Sequence, residues 1–177
     1  MQLQEVINTR KSIRKFKPDK ISENLIEDLI NCARLAPSAK NRQPWKFIIT
    51  KDTLKNKIAE VMIEKEPKSN NNSVVATANA TKQAPILILV LKPKLDENII
   101  SDILSIGAAI EHICLKATDM GLGSLWIRVT VYAQNDILKL INYENMELIS
   151  SIAIGYPNEV PVSRPRKKLN EIIEWKN

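Results

Sequence analysis

The feature that most constrains the fold is one long helical pattern from about Glu97 to Met120. At 1.5 Å per residue such a helix is about 35 Å long, which exceeds what the core of a small domain needs. Its central part, "ILSIGAAIEHICLKA", is apolar around much of the circumference, and Gly107 with the two alanines after it allows close approach of another backbone. A helix that is apolar on more than one face lies in the centre of a fold or in an oligomer interface. We expect both here.

Shorter patterns on either side of this helix alternate between strands and helices. Four runs have the length and composition of strands, and the first is expected to be buried: "KFIIT", "ILILVL", "GSLWI" and "ISSIAIG". Further helices are expected near residues 2–9, 23–36, 52–62 and 135–141, after the asparagine-rich loop at 68–73 and at the C-terminus, with Ser22 and Asp52 as N-caps. Strands separated by helices indicate a mixed α/β or α+β fold with a central sheet. A length of 177 residues fits one domain, residues 1–177.

Charge is distributed unevenly along the chain, whose formal net charge is +6. Residues 1–20 carry six basic and two acidic side chains, and residues 163–177 carry five and two, so the surplus positive charge lies at the two ends. Three interpretations are open at this point. The ends are two solvated basic termini, a nucleic-acid patch, or two segments that converge on one small anion such as a phosphate.

Several classes of protein find no support in the sequence. The longest apolar run, "PILILVL", is far shorter than the roughly 20 residues of a membrane-spanning helix, and the first residues lack the apolar core of a signal peptide. We therefore expect a cytoplasmic protein. Cys32 and Cys114 form no CxxC pair and are expected to be buried free thiols. A single histidine, His112, argues against a histidine-rich metal site. Neither GxxxxGK[ST] nor GxGxxG occurs, so P-loop and Rossmann sites lose support.

Two short basic motifs could bind an anion. In "RKSIR", alternate side chains of an extended segment point to the same side, so Arg10, Ser12 and Arg14 can face one ligand. In "RPRKK", the proline stiffens the segment and presents Arg164 and Arg166. Planar guanidinium groups suit bidentate binding of phosphate. No nucleophile–base–acid set accompanies these motifs, because the single histidine lies in the middle of a helix.

The stretch "APSAKNRQPWKFIIT", residues 36–50, connects a helix to a strand through a long polar loop. A connection of this kind needs only about 2–6 residues and no particular chemistry. Here two prolines enclose small, polar and basic residues, and a tryptophan follows. This composition indicates a loop that is shaped to hold a ligand.

Five segments together resemble the successive signature blocks of the nitroreductase family of flavin enzymes. They are "TRKSIRKF", "APSAKNRQPWKFIIT", "GAAIEHICLKATDMGLGSLWI", "AIGYPNEVP" and "RPRKKLNEII", and they occur in the family's order and spacing along the chain. The resemblance implies a nitroreductase-like three-layer α+β fold, in which helices flank a central, mostly antiparallel sheet and a long central helix forms a homodimer interface. It also implies two FMN sites at that interface and ping-pong electron transfer from NADH or NADPH to a small-molecule acceptor.

The same resemblance implies which residues bind FMN. Arg10, Ser12 and one or both of Arg164 and Arg166 would hold the phosphate. Arg14 would be the counter-charge for the reduced ring, and backbone groups of the "LWI" segment would bond to ring heteroatoms. In the loop at residues 36–45, the first part with Pro37, Ser38, Ala39 and Asn41 would cover the flavin of the partner subunit. Gln43, Pro44 and Trp45 would anchor the loop to the sheet. Ala39 and Lys11 differ from residues common in the family. The cofactor-binding residues assigned in this way are Arg10, Lys11, Ser12, Arg14, Arg34, Pro37, Ser38, Ala39, Asn41, Leu125, Trp126, Ile127, Arg164 and Arg166; no catalytic side chain and no metal ligand is assigned.

The sequence is compatible with several functions. The leading hypothesis is an FMN-dependent NAD(P)H oxidoreductase that reduces nitroaromatic, quinone or similar conjugated acceptors. The alternatives are a dehalogenating or flavin-cleaving enzyme of the same family and a flavin-binding carrier without turnover. A nucleic-acid-binding protein would use the basic ends instead, but an aromatic content of 5% and the lack of a nucleic-acid motif argue against it.

Overall fold

The computed structural model describes residues 1–65, 72–94 and 99–176. These residues form six α-helices and four β-strands. The helices are α1 (Leu3–Thr9), α2 (Glu23–Arg34), α3 (Asp52–Glu64), α4 (Asn72–Gln83), α5 (Ile99–Asp119) and α6 (Gln134–Leu140). The strands are β1 (Lys46–Lys51), β2 (Ile86–Pro93), β3 (Gly123–Ile127) and β4 (Met146–Gly155), and short 3-10 turns lie at Ala39–Asn41, Val129–Ala133 and Leu169–Glu171.

The four strands form one sheet in the order β1-β2-β4-β3, and each neighbouring pair is antiparallel. The central strand β2 is buried from Ile86 to Lys92, which explains why its sequence is apolar on both faces. The expectation that β1 is also buried is wrong. β1 lies at the edge of the sheet, where only Thr50 is buried and Ile49 is 37% exposed.

Two hydrophobic cores lie on opposite faces of this sheet. On one face, Leu87 and Leu89 of β2 pack with Ile58 of α3 and with side chains of α4 and α6. On the other face, Ile88 of β2 packs with Ile110 of α5 and with side chains of α2. Helices therefore cover both faces, and the prediction of a three-layer α+β fold with a mostly antiparallel sheet is confirmed.

Helix α5 has one fully buried side and one exposed apolar side. Ile106, Ile110 and Ile113 are completely buried. Ile100 is 77% exposed and Leu104 is 70% exposed. The chain leaves the helix through Gly121, whose φ of 72° is the left-handed conformation that this type of cap requires. The long helix and its end are thus as predicted, although its predicted start at Glu97 lies outside the described residues.

Other details differ from the expectations. Asp52 does not cap α3: it is the first helical residue, with a φ of 51°, and Lys51 is the N-cap. Cys114 is buried as expected, but Cys32 is only half-buried. The segment after the asparagine run is a 12-residue helix rather than a short stretch, and the final helix is a single 3-10 turn. Most of the asparagine-rich loop lies outside the described residues.

Candidate functional site

The two basic ends of the chain lie side by side next to the edge of the sheet. The Ile13 N–H donates to the Ser124 carbonyl oxygen of β3 at 2.9 Å, which adds residues 12–13 to the free edge of that strand. The following residues run antiparallel to residues 156–158. The Lys17 N–H donates to the Tyr156 oxygen at 2.9 Å, and the Asn158 N–H donates to the Lys15 oxygen at 2.9 Å. The N-terminal basic motif is therefore fixed between β3 and the start of the C-terminal segment.

These contacts enclose an open cleft of about 920 Å³, the basic cleft. Both basic motifs line it, which is the arrangement that convergence on one anion requires. Arg14, Arg164 and Arg166 are exposed, whereas Arg10, Lys11 and Ser12 are half-buried. The lining residues are Ile7, Asn8, Arg10, Lys11, Ser12, Arg14, Pro161, Val162, Ser163, Arg164, Pro165 and Arg166.

Two carboxylates border the basic cleft and were not identified from the sequence. Arg10 Nε lies 3.3 Å from Oε1 of Glu111, on α5. Oε1 of Glu159 accepts hydrogen bonds from the backbone N–H groups of Arg14 and of Lys15, the latter at 3.1 Å. Glu111 therefore balances one guanidinium, and Glu159 holds the backbone of the N-terminal motif in position.

Other contacts orient the cations at the cleft. Lys11 Nζ donates to the Pro161 carbonyl oxygen at 3.0 Å, which ties the two basic segments together. Arg14 Nη1 lies 3.4 Å from the Ser12 oxygen, a weak contact that leaves the guanidinium exposed. Five positive side chains thus lie around one cleft, a strong field for a phosphate-bearing ligand.

Strand β3 lies beside the N-terminal basic motif, although its residues are not among those that line the basic cleft, and its backbone groups are not equivalent. Because alternate residues of a strand direct their N–H and C=O groups to the same side, Trp126 presents its groups to the same free edge as Ser124. Leu125 and Ile127 direct theirs toward β4, and their side chains are buried. Of the three residues predicted to offer backbone groups to a ligand, the structure therefore places those of Trp126 at the open edge.

The Trp126 side chain is fixed by the strand beside it. Its Nε1–H donates to Ser150 Oγ at 2.8 Å, and that hydroxyl donates to the Ile127 oxygen at 2.8 Å. The indole remains 45% exposed and lies against α5 near Gly107. An orientated, half-exposed aromatic ring therefore lies beside the exposed apolar side of α5.

The buried thiol near the cleft is not a nucleophile. Burial raises the pKa of Cys114 to about 11, although a hydrogen bond with Ser124 opposes the shift. At neutral pH the group is a protonated thiol, and only the thiolate is reactive. Cys114 is a packing residue of the second core.

The loop at residues 36–45, the proline-bracketed loop, lies elsewhere on α5. Its Ala39 N–H donates to Ser105 Oγ at 3.2 Å. Ser38 Oγ accepts the N–H of Gln43 at 3.0 Å. Arg34, on α2, bonds to Asn31 through Nε and Nη2. Among the residues that the structure describes, Arg34, Pro37, Ser38, Ala39 and Asn41 do not line the basic cleft, so one chain presents the predicted site in two separate parts.

The backbone of this loop is strained. Lys40, Asn41 and Gln43 have φ values of 52°, 55° and 48°. Such left-handed conformations cost roughly 1–2 kcal/mol for residues with a Cβ. Sparsely populated conformations of this kind persist only where surrounding contacts hold them, and they are concentrated at functional sites.

A match to the Nitroreductase family model spans residues 7–156. This range contains three of the five sequence blocks, the beginning of a fourth, and the N-terminal half of the residues that line the basic cleft. The chain belongs to the nitroreductase family. The C-terminal segment with Arg164 and Arg166 lies beyond the matched residues.

Three relatives of this nitroreductase-family chain have similar sequence identities to it, between 28% and 30%. A protein of Archaeoglobus fulgidus, described as an NADH dehydrogenase/NAD(P)H nitroreductase, is 30% identical over 161 residues, covering 88% of this chain and 85% of that protein. An iodotyrosine deiodinase of Thermotoga neapolitana is 30% identical over 189 residues, covering 97% and 95%. The crystal structure of a BluB-like flavoprotein from Clostridium difficile 630 aligns with a TM-score of 0.84 at 28% identity and covers both chains completely.

The described residues give no support for a metal site or for a membrane-spanning helix. In residues 1–65, 72–94 and 99–176, no group of histidine, cysteine, aspartate and glutamate side chains could hold a metal ion. Within the same ranges, no helix is long and apolar enough to cross a membrane.

An ion pair between the proline-bracketed loop and α5 was also not predicted from the sequence. Arg42 forms an ion pair with Asp102 of α5, with Nη2 at 2.7 Å and Nε at 3.2 Å from the same carboxylate oxygen. The carboxylate has a detectable signal in the sequence, because Asp102 lies four residues before the buried Ile106 in the pattern of α5. Its partner could not be identified in this way, since the two residues are 60 positions apart.

Proposed function

We propose that this chain is an FMN-dependent oxidoreductase that transfers electrons from NADH or NADPH to a conjugated small-molecule acceptor. The observation that carries the proposal is the convergence of the two basic ends on one cleft beside the open edge of β3. A flavin mononucleotide has a dianionic phosphate at one end and a planar ring with hydrogen-bonding heteroatoms at the other. FMN, when bound, would supply the hydride chemistry, so no acid–base set of side chains is needed.

The residues present fit such a cofactor. Arg10, Lys11 and Ser12 offer two cations and a hydroxyl for the phosphate, and they are half-buried, so their bonds would be partly shielded from water. Arg164 and Arg166 face the same cleft and would complete the phosphate site. On the ring side, the N–H and C=O of Trp126, which bond to no other described residue, and the exposed guanidinium of Arg14 would bind the heteroatoms of the flavin.

A homodimer would complete the site. The proline-bracketed loop lies away from the basic cleft of its own chain, so its polar atoms would reach a flavin only in a second subunit. Two sets of exposed apolar side chains would be covered by the same association. One is the side of α5 with Ile100 and Leu104, and the other is the C-terminal segment, where Val162 is 92% and Trp175 is 88% exposed. Large exposed apolar patches mark interaction sites, and these side chains are candidates for such a patch.

The decisive experiment is anaerobic. The purified protein should be yellow, NADH or NADPH should bleach it, and a nitroaromatic, a quinone or iodotyrosine should restore the colour under anaerobic conditions. Iodotyrosine is included because the deiodinase relative is as similar to this chain as the nitroreductase relative is. Bleaching without reoxidation by any of the three acceptors would favour a flavin carrier. A colourless protein that does not bind added FMN would refute the proposal.

In steady-state assays, a ping-pong mechanism predicts parallel double-reciprocal plots when the donor is varied at several acceptor concentrations. Intersecting lines would show that donor and acceptor are bound together, and the proposed mechanism would be wrong. The acceptor that gives the highest kcat/KM would identify the substrate class.

A further inference from the structure

The proline-bracketed loop is held in its strained conformation by contacts with one short part of α5. Arg42 donates to one oxygen of Asp102 through Nε and Nη2, and Nη2 also donates to Ser101 Oγ at 2.8 Å. The side chain of Asp102 is only 10% exposed. A carboxylate that is this buried is stable in its charged form only if it is paired and hydrogen-bonded. The guanidinium of Arg42 supplies both.

A second contact connects the same two elements. Ser105, one turn after Asp102, accepts the N–H of Ala39 and donates to the Ser101 carbonyl oxygen at 2.7 Å. The Ala39 and Arg42 contacts therefore enclose Lys40 and Asn41, two of the three residues of this loop that have positive φ. Within the loop, the Asn41 N–H donates to the Ser38 carbonyl oxygen at 2.9 Å, and Ser38 Oγ accepts the Gln43 N–H. These local bonds shape the turn, whereas the Ala39 and Arg42 contacts attach it to α5.

We propose that Arg42 and Asp102 are positioning residues that hold the proline-bracketed loop against α5 in the conformation that binds the flavin ring of a second subunit. The role in flavin binding rests on the proposed function above, whereas the role in holding the loop does not. Loss of the ion pair opens the loop locally and leaves the basic cleft intact, because the cleft is built from other parts of the chain.

The first test is limited proteolysis by trypsin, measured at the bond after Lys40 by mass spectrometry. Lys40 is exposed, so cleavage there depends on opening of the backbone and not on access to the side chain. In Asp102→Ala and Arg42→Gln, cleavage at Lys40 should be roughly tenfold faster than in the unaltered protein, as expected for loss of a charge-assisted hydrogen bond. Arg42→Lys should restore part of the protection. Cleavage in the exposed C-terminal segment provides an internal reference.

The matched control is Asp119→Ala, which removes another carboxylate of α5. Asp119 pairs with Lys116 and with the N-terminal amino group, far from the loop. It should leave cleavage at Lys40 unchanged. Unchanged cleavage at Lys40 in both Asp102→Ala and Arg42→Gln would overturn the proposal, as would equal acceleration in the control.

The second test compares the binding of FMN and riboflavin by quenching of flavin fluorescence. Because the loop would contact the ring and not the phosphate, Asp102→Ala should weaken both flavins by the same factor, roughly tenfold. Arg166→Ala should weaken FMN alone. If Asp102→Ala accelerates cleavage at Lys40 but leaves both affinities unchanged, the positioning role in flavin binding is refuted. If the unaltered protein binds neither flavin, the proposed function fails, and the proteolysis still decides whether the ion pair holds the loop.

Discussion

Replacement of Arg10 by alanine tests the phosphate assignment most directly. The Arg10 side chain is 23% exposed and lines the basic cleft, and its Nε lies beside Glu111. Loss of one charge-assisted hydrogen bond to a phosphate costs about 1.5–3 kcal/mol. The dissociation constant of FMN should therefore rise roughly 10- to 150-fold in Arg10→Ala. Riboflavin, which lacks the phosphate, should bind with unchanged affinity.

Glu111 makes this prediction sharper, because it competes with the phosphate for the same cation. The pair is partly exposed, and exposed or partly exposed ion pairs contribute about 0.2–1 kcal/mol. Glu111→Gln should therefore tighten FMN binding by a few-fold at most and leave riboflavin unaffected. In Arg10→Ala, the carboxylate that remains would repel the phosphate, so adding Glu111→Gln to that variant should recover part of the lost affinity.

The assay is titration of the apoprotein with each flavin, followed by fluorescence quenching at two salt concentrations. Lys17→Ala is a suitable control, since Lys17 is an exposed cation of the same segment that does not line the cleft. An equal loss of FMN and riboflavin affinity in Arg10→Ala would mean that the guanidinium acts on the ring or on the fold. That result, or unchanged FMN affinity, would refute the phosphate assignment.

Three further substitutions test other parts of the structure. Gly107→Leu should give a monomer in size-exclusion chromatography with weak FMN binding, because it adds bulk on the exposed side of α5; a dimer that binds FMN normally would contradict the proposed interface. Gly123→Ala should lower the free energy of unfolding by about 1–3 kcal/mol in urea denaturation, since the new Cβ would lie 2.7 Å from Ile13 Cγ1 and displace the N-terminal basic motif from β3. Lys55→Met should destabilise by about 2–3 kcal/mol, because the Nζ of this buried lysine satisfies two carbonyl oxygens at the end of α4; unchanged stability would show that water replaces it.

Elements with a strong local pattern could be predicted from the sequence. The buried side of α5 follows from the spacing of Ile106, Ile110 and Ile113, and its end follows from Gly121, which takes the left-handed conformation. The central strand β2 follows from an apolar run that is too short to span a membrane. Helical periodicity and helix caps depend on residues that are close together in the chain. They can therefore be predicted from the sequence alone.

Contacts between distant residues could not be predicted in this way. The basic ends were identified as candidates for one anion site, but the two carboxylates beside them, Glu111 and Glu159, were not. Each lies in a segment that looks ordinary by itself and reaches the cleft only through the pairing of the N-terminal motif with β3 and with residues 156–158. The same is true of the Arg42–Asp102 ion pair, which joins a loop to a helix 60 residues later.

Helix α5 connects the separate parts of the proposed site. Its first turns hold the proline-bracketed loop through Asp102 and Ser105, and its later turns carry Glu111 beside Arg10. The exposed apolar side with Ile100 and Leu104 lies on the same first turns of the helix as the loop contacts. A second subunit that covers this side would bring its own loop toward the basic cleft. Association of the subunits and binding of the flavin would then be thermodynamically linked, because each would favour the arrangement that the other requires.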